Sequence, residues 1–199
     1  METAGEPPAA GPAPKRGQLH MIWPEGRRAP RRPGLPPGYI LRTWREGDAE
    51  GYRALMTAAG FDSWATEDKV PGVLKTALPE GLFFVVHEAT GRIAATTVAG
   101  HAACDEHPFG GELGWVAVDP AHRGRRLSAA TCAAVVRRFR DAGFRRIYLK
   151  TDDRRLPALR VYLDLGFVPF LHGQDMEGRW RKVFSELGRD WDRAGAARP

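Results

Sequence analysis

From Gly38 onward, hydrophobic positions alternate between a period of two and a period near 3.6. Residues 39–44 read as a first strand, Glu46-Gly47-Asp48 as a turn with an N-cap, and residues 49–59 as a helix that Gly60 stops. Residues 66–77 read as a second helix, interrupted or begun anew at Pro71-Gly72. Residues 82–87 and 93–100 make a hairpin about Thr90-Gly91. The apolar, β-branched run 113–118 has the length of a buried strand, and Asp119-Pro120 ends it. Beyond it, residues 123–128 open a helix. Leu127, Thr131, Val135, Phe139 and Ala142 form its packing face, Arg137, Arg138, Arg140 and Asp141 its wet face, and Gly143 its cap. A strand over 145–150, a helix with Pro157 in its first turn and Gly166 at its end, and a strand over 167–171 follow. Met176, Trp180, Val183, Phe184 and Leu187 then fall at helical spacing, with Gly188 beyond them.

This order of elements predicts an α/β domain over residues 38–188, long enough for one core, with a tail over 189–199. Residues 1–37 differ in kind. They hold nine of the 16 prolines, among Ala, Gly and Arg, and such a segment buries too little apolar surface to offset its ordering entropy. It reads as a partly disordered extension. Within it, Leu19-His-Met-Ile-Trp23 has the pattern of a strand that could join a sheet edge, or of a sticky patch in a flexible arm.

Net charge is +6, so polyanions are attracted without the kind being specified. Twelve Lys/Arg against three acids lie between Pro120 and Arg160, which concentrates the basic excess around the loop at 123–128. Two cysteines, Cys104 and Cys132, are too few for a disulfide framework and suit a reducing compartment. No run reaches 18 apolar residues and no secretory signal opens the chain, so a soluble cytoplasmic protein with no membrane partner is expected. His101, Cys104 and His107 share one loop, but zinc wants a fourth ligand that no motif supplies, so no metal is expected.

A buried strand, a basic loop and a helix start together suit an anionic, nucleotide-like ligand, because amides at a helix start have no intrahelical partner and the helix dipole favours negative charge. The pieces Val116-Ala117-Val118, Arg123-Gly124-Arg125-Arg126-Leu127-Ser128, Ala158-Leu-Arg-Val-Tyr162 and Gly166-Phe167 stand in the order of the acyl-CoA-binding half of the GNAT superfamily of N-acetyltransferases, which this segment resembles. The resemblance implies a mixed, mostly antiparallel central sheet flanked by helices, here with an extra C-terminal helix. It also implies acetyl-CoA as cosubstrate and an amine as acceptor, attacked directly in a ternary complex; a homodimer is compatible with it. Val116 to Val118 would offer backbone groups to pantetheine, which lies between two diverging strands, and an amide near Val116 would meet the oxyanion. Arg123, Gly124, Arg125, Arg126, Leu127 and Ser128 would hold the diphosphate.

Three positions depart from the family pattern. Arg126 stands at a usual glycine, where it could supplement diphosphate binding or obstruct it. Ser128 stands at a usual Gly or Ala and could cap the helix or donate to a phosphate. Arg155 stands where the family often has Asn near the thiol side of the cofactor. By position, Tyr162 resembles the general acid that protonates the leaving thiolate, and Glu112, at the start of the valine-rich strand, resembles the base of histone-type members. Trp44, Phe61 and Trp64 could wall an acceptor pocket, and Asp62, Glu67 and Asp68 could draw a cationic amine to it. The other reading of the basic face is a non-catalytic module that senses acyl-CoA or binds nucleic acid; for the enzyme, nucleic acid is not expected as a partner.

Overall fold

The computed structural model describes residues 17–31 and 33–199; residues 1–16 of the proline-rich extension lie outside them. The strands are β1 (Leu19–Trp23), β2 (Tyr39–Thr43), β3 (Ala77–His87), β4 (Ile93–His101), β5 (Gly111–Val118), β6 (Ile147–Thr151) and β7 (Val168–Phe170). The helices are α1 (Ala49–Ala58), α2 (Ser63–Thr66), α3 (Val70–Thr76), α4 (Leu127–Asp141), α5 (Leu156–Leu165) and α6 (Met176–Glu186). One sheet runs β2-β3-β4-β5-β6-β1-β7, and every pairing is antiparallel except β5 with β6. This is the mixed, mostly antiparallel sheet flanked by helices that the resemblance implied, and the terminal helix is present as α6.

Burial decides where β1 goes. All five of its residues are buried, so neither of its faces is wet and neither is either of its edges. It lies inside the sheet, between β6 (Met21 opposite Leu149) and β7 (Met21 opposite Pro169), which is neither of the two places, a sheet edge or a flexible arm, that the sequence left open. The reason is vacancy: after β7 the chain enters α6 instead of returning as a strand, so the place beside β6 is filled from the N-terminal side. The tail also packs. Leu171 donates its amide to Ala197 and Ala197 donates its own to Pro169, so residues past 189 extend the β7 edge.

Two helices depart from expectation. The helix expected over 66–77 begins only at Val70, as α3, because Asp68 accepts from the Val70 amide and restarts the chain, with Pro71 in the first turn; the short α2 ends where it was expected to start. α4 is buried on more than one face: nine of its 15 residues are buried, including Ala130, Ala133 and Ala134, while Ala142 is exposed. Small side chains let it lie close across β3, β4 and β5. Gly111 does the same from the sheet side, since a Cβ there would collide with the Phe139 ring.

The β1–β7 end carries a histidine group. His20 stacks on His172 (centroids 4.1 Å), its Nδ1 is 3.3 Å from Nε2 of His107, and His107 stacks on Tyr148 at 4.1 Å. Glu106 approaches His172 (4.0 Å), and Lys150 and Arg146 add positive charge. Burial, and then neighbouring positive charge, lowers both His20 and His107 to about 4. The unfolded chain, titrating near 6.5, therefore binds more protons than the folded one between those values. Stability is full above about pH 6.5 and is lost as pH falls through about 4. Calorimetry is expected to show Tm falling across this window, with the slope reduced in His20→Gln; a flat profile from pH 7 to 4.5 would refute the assignment.

Candidate active site

β5 is bent by its own register. Thr96 faces Ala117 and Val98 faces Gly114, so Trp115 and Val116 share the place opposite Thr97. Trp115 sits at φ +52°, the left-handed turn of a bulge, and its ring packs on Trp64 (5.1 Å) and Phe61 (6.0 Å). β5 and β6 pair only at Gly111–Ile147 and Glu112–Tyr148, then part. Beyond that point the β6-facing backbone of β5 has no strand partner among the described residues, which leaves a slot for an extended ligand.

Two cavities open along this slot. The larger, ≈ 590 Å³, is walled by Val116, Ala117 and Val118 of β5, the loop Arg123 to Ser128 and the α5 residues Pro157, Ala158, Val161 and Tyr162. Every residue expected from sequence to hold the donor, Arg155 included, borders it. The loop is braced from within: Arg125 donates to the carbonyls of Ala121 and Arg123, while Arg123 and Arg126 are exposed and make no side-chain hydrogen bond or ion pair among the described residues. His122 lies on the same rim, 2.7 Å from the Tyr39 hydroxyl, and burial lowers its pKa.

Arg126 occupies the N-cap of α4 at φ +58°, the left-handed conformation that explains why glycine is usual there. Ser128 is inside the helix and does not cap it. Arg126→Gly is expected to stabilise the fold by up to about 1 kcal/mol, strain relief being partly offset by the added freedom of the unfolded chain. It is also expected to weaken acetyl-CoA binding a few-fold at low salt, less at high salt. Denaturant titration and calorimetric binding at two ionic strengths check both signs.

The smaller cavity, ≈ 360 Å³, has Glu112, Trp115, Lys150, Thr76 and Gln18 in its wall. Phe61, Val116, Arg155 and Tyr162 border both cavities, so the two meet there. Arg155 forms part of the partition: it stands at the N-cap position of α5, and its side chain pairs with Asp152 at 3.1 Å and lies 5.2 Å over the Phe61 ring. Tyr162 is 5% exposed, and burial, followed by the nearby Cys132 thiol, pushes its phenol well above the usual tyrosine range, against a smaller pull from Arg155. The phenol is therefore protonated at any neutral pH. The Glu112 carboxylate lies 3.2 Å from the Tyr148 hydroxyl, whose proton goes to the Ala102 carbonyl, and 3.6 Å from Lys150.

Of the aromatics expected around an acceptor, only Phe61 reaches the cavity. Trp64 is 1% exposed in the core and Trp44 packs against that same core. Glu67 pairs with Lys69 and Asp68 with Arg53, and neither they nor the exposed Asp62 borders either cavity. Tyr148 and Lys150 were missed. Their positions two apart on β6 put them on one face of that strand, but only the Glu112–Tyr148 register shows which carboxylate they serve. Among the described residues, no helix is long and apolar enough to cross a membrane.

A sequence model described as the Acetyltransferase (GNAT) family matches residues 42–167. Two proteins named mycothiol acetyltransferase, from Thermobispora bispora and Saccharomonospora viridis, are 34% and 31% identical over 68% of this chain. The chain spans about half the length of these curated relatives, 48% of each. A solved structure of a putative GNAT-family acetyltransferase from Novosphingobium aromaticivorans is similar in fold, with a TM-score of 0.57 at 24% identity over 82% of this chain and 67% of that one.

Proposed function

The chain belongs to the GNAT family of acetyltransferases, and on that premise we propose that it moves an acetyl group from acetyl-CoA to a primary amine of a small molecule or protein, by direct attack in a ternary complex. The observation that carries this reading is the meeting of the two cavities at Phe61, Val116, Arg155 and Tyr162. A donor and an acceptor can enter from separate sides and react where the sides join. The names of the mycothiol acetyltransferase relatives support acetyl transfer to a small molecule in particular.

In this reading the loop Arg123 to Ser128 binds the diphosphate through amides and charge, and the bulged β5 backbone holds the pantetheine arm. Glu112 takes the proton that leaves the amine as its nitrogen bonds to the acetyl carbon. The amide of Val116 meets the negative charge gathering on the acetyl oxygen. As the carbon–sulfur bond breaks, Tyr162 gives its phenolic proton to the sulfur, and solvent restores both residues.

Thermal shift with acetyl-CoA, followed by a thiol-release screen across amines, tests the proposal. A raised Tm and acceptor-dependent thiol release are expected. No shift at millimolar acetyl-CoA, together with salt-sensitive DNA binding, would replace it with the non-catalytic reading of the basic face.

A further inference from the structure

The acceptor chamber carries an ion pair that is already set. Tyr148 lies beside both members of it: its hydroxyl, which donates to the Ala102 carbonyl, is 3.2 Å from the Glu112 carboxylate, and the Lys150 ammonium lies 5.7 Å over its ring. The two charges are 3.6 Å apart and only partly covered, with side chains 24% and 30% exposed, so each has a side left for a ligand. Around them the charge balance is uneven. Among the described residues bordering this cavity, Glu112 is the only acid, while Lys150 and Arg155 are cations.

That balance argues against a polycation. A polyamine, an aminoglycoside or a basic peptide would bring several positive charges to a single carboxylate that Lys150 already pairs, and like charges brought together in a partly desolvated site cost binding energy. The nearby acids do not change the count. Asp152 is occupied by Arg155, and Asp62, Glu67 and Asp68 lie off the cavity.

Resting on the acetyltransferase reading above, we infer that the acceptor is a compact zwitterion, an amino acid or a small aminoacyl compound with a free carboxylate next to its amine. In such a molecule the ammonium nitrogen and the carboxylate oxygens are about 3 Å apart, a spacing set by standard bond lengths. Laid head to tail against the Glu112–Lys150 pair, its ammonium meets Glu112 and its carboxylate meets Lys150, so four charges alternate in sign. The same contact serves the chemistry. Glu112 must face the ammonium to take its proton, and Lys150 holds the far end so that the freed nitrogen points toward the junction at Tyr162. Lys150 is thus a specificity-determining residue.

Matched acceptors test this with the full chain and acetyl-CoA. Free α- and β-amino acids are each compared with their own methyl ester by thiol release. The ester amine is the less basic of the two and is more often neutral at a given pH, so a preference for the acid cannot come from amine reactivity. At least about a tenfold advantage in kcat/KM for the free acid is expected, with a polyamine and an aminoglycoside at the acceptor-free rate. Lys150→Glu is expected to cut the acid-to-ester ratio at least tenfold, whereas Lys150→Arg keeps the preference and so separates charge from folding. An equal or inverted ratio in the unaltered protein, or a ratio untouched by Lys150→Glu, overturns the inference. If acetyl-CoA raises Tm but no amino acid releases thiol, the inference fails while the donor reading stands. If acetyl-CoA gives no shift, the acetyltransferase reading fails and takes the inference with it.

Discussion

Replacing Tyr162 with phenylalanine is expected to lower kcat by about 10²- to 10³-fold while acetyl-CoA still raises Tm, which is the loss expected when a positioned general acid is removed. The ring is kept, so its packing against Phe167, at 6.3 Å between centroids, survives and the fold should not notice. The effect is large because, of the other described residues that border both cavities, Phe61 and Val116 have no side-chain proton to give and Arg155 keeps its own. Burial raises the phenol, which makes it a poorer acid toward water. A thiolate leaving in the same dry pocket is destabilised by the same loss of water, so its proton affinity rises too and the transfer stays near balance. Single-turnover thiol release measures the chemical step directly. A kcat within about threefold of the parent would remove Tyr162 from the mechanism.

Trp23→Ala is expected to cost about 3–5 kcal/mol, a large share of the roughly 5–15 kcal/mol by which a domain of this kind is stable. Trp23 is 2% exposed, packs edge-on against Phe167 at 5.3 Å, donates Nε1 to the Arg27 carbonyl and stands opposite Ile147 on β6. Removing it empties the space between β6 and β7 at the level of the α5 C-terminus, where Arg27 also donates to Gly166. Because β6 carries Lys150 and pairs with the start of β5, the loss should reach the site as well as the sheet. Urea unfolding checks this. A midpoint shift worth less than 1 kcal/mol would mean that β1 is an accessory to the sheet.

These two residues differ in how visible they were. The place of Tyr162 was legible because it follows from a short spacing: Ala158, Tyr162 and Gly166-Phe167 lie four apart on one helix face and at its stop, and local spacing survives folding. The loop Arg123 to Ser128 was legible for the same reason, down to the glycine-type conformation at Arg126. Trp23 was visible as a strand residue but not as an interior one. Which strand lies beside β6 depends on what the far end of the chain does, and α6 answers that some 150 residues later.

What the amino-acid order shows directly is local: the periodicities of most elements, the basic loop, and the order of the pieces that carry the family likeness. Those features are set by residues a few positions apart, whose geometry the backbone fixes before any tertiary contact forms. Visible only once the chain is folded are the place of β1 between β6 and β7, the burial of α4 on several faces, and the position of Glu112 beside Tyr148 and Lys150. Each depends on register or packing between segments far apart in the chain, where hydrophobic burial, not spacing, chooses the partner.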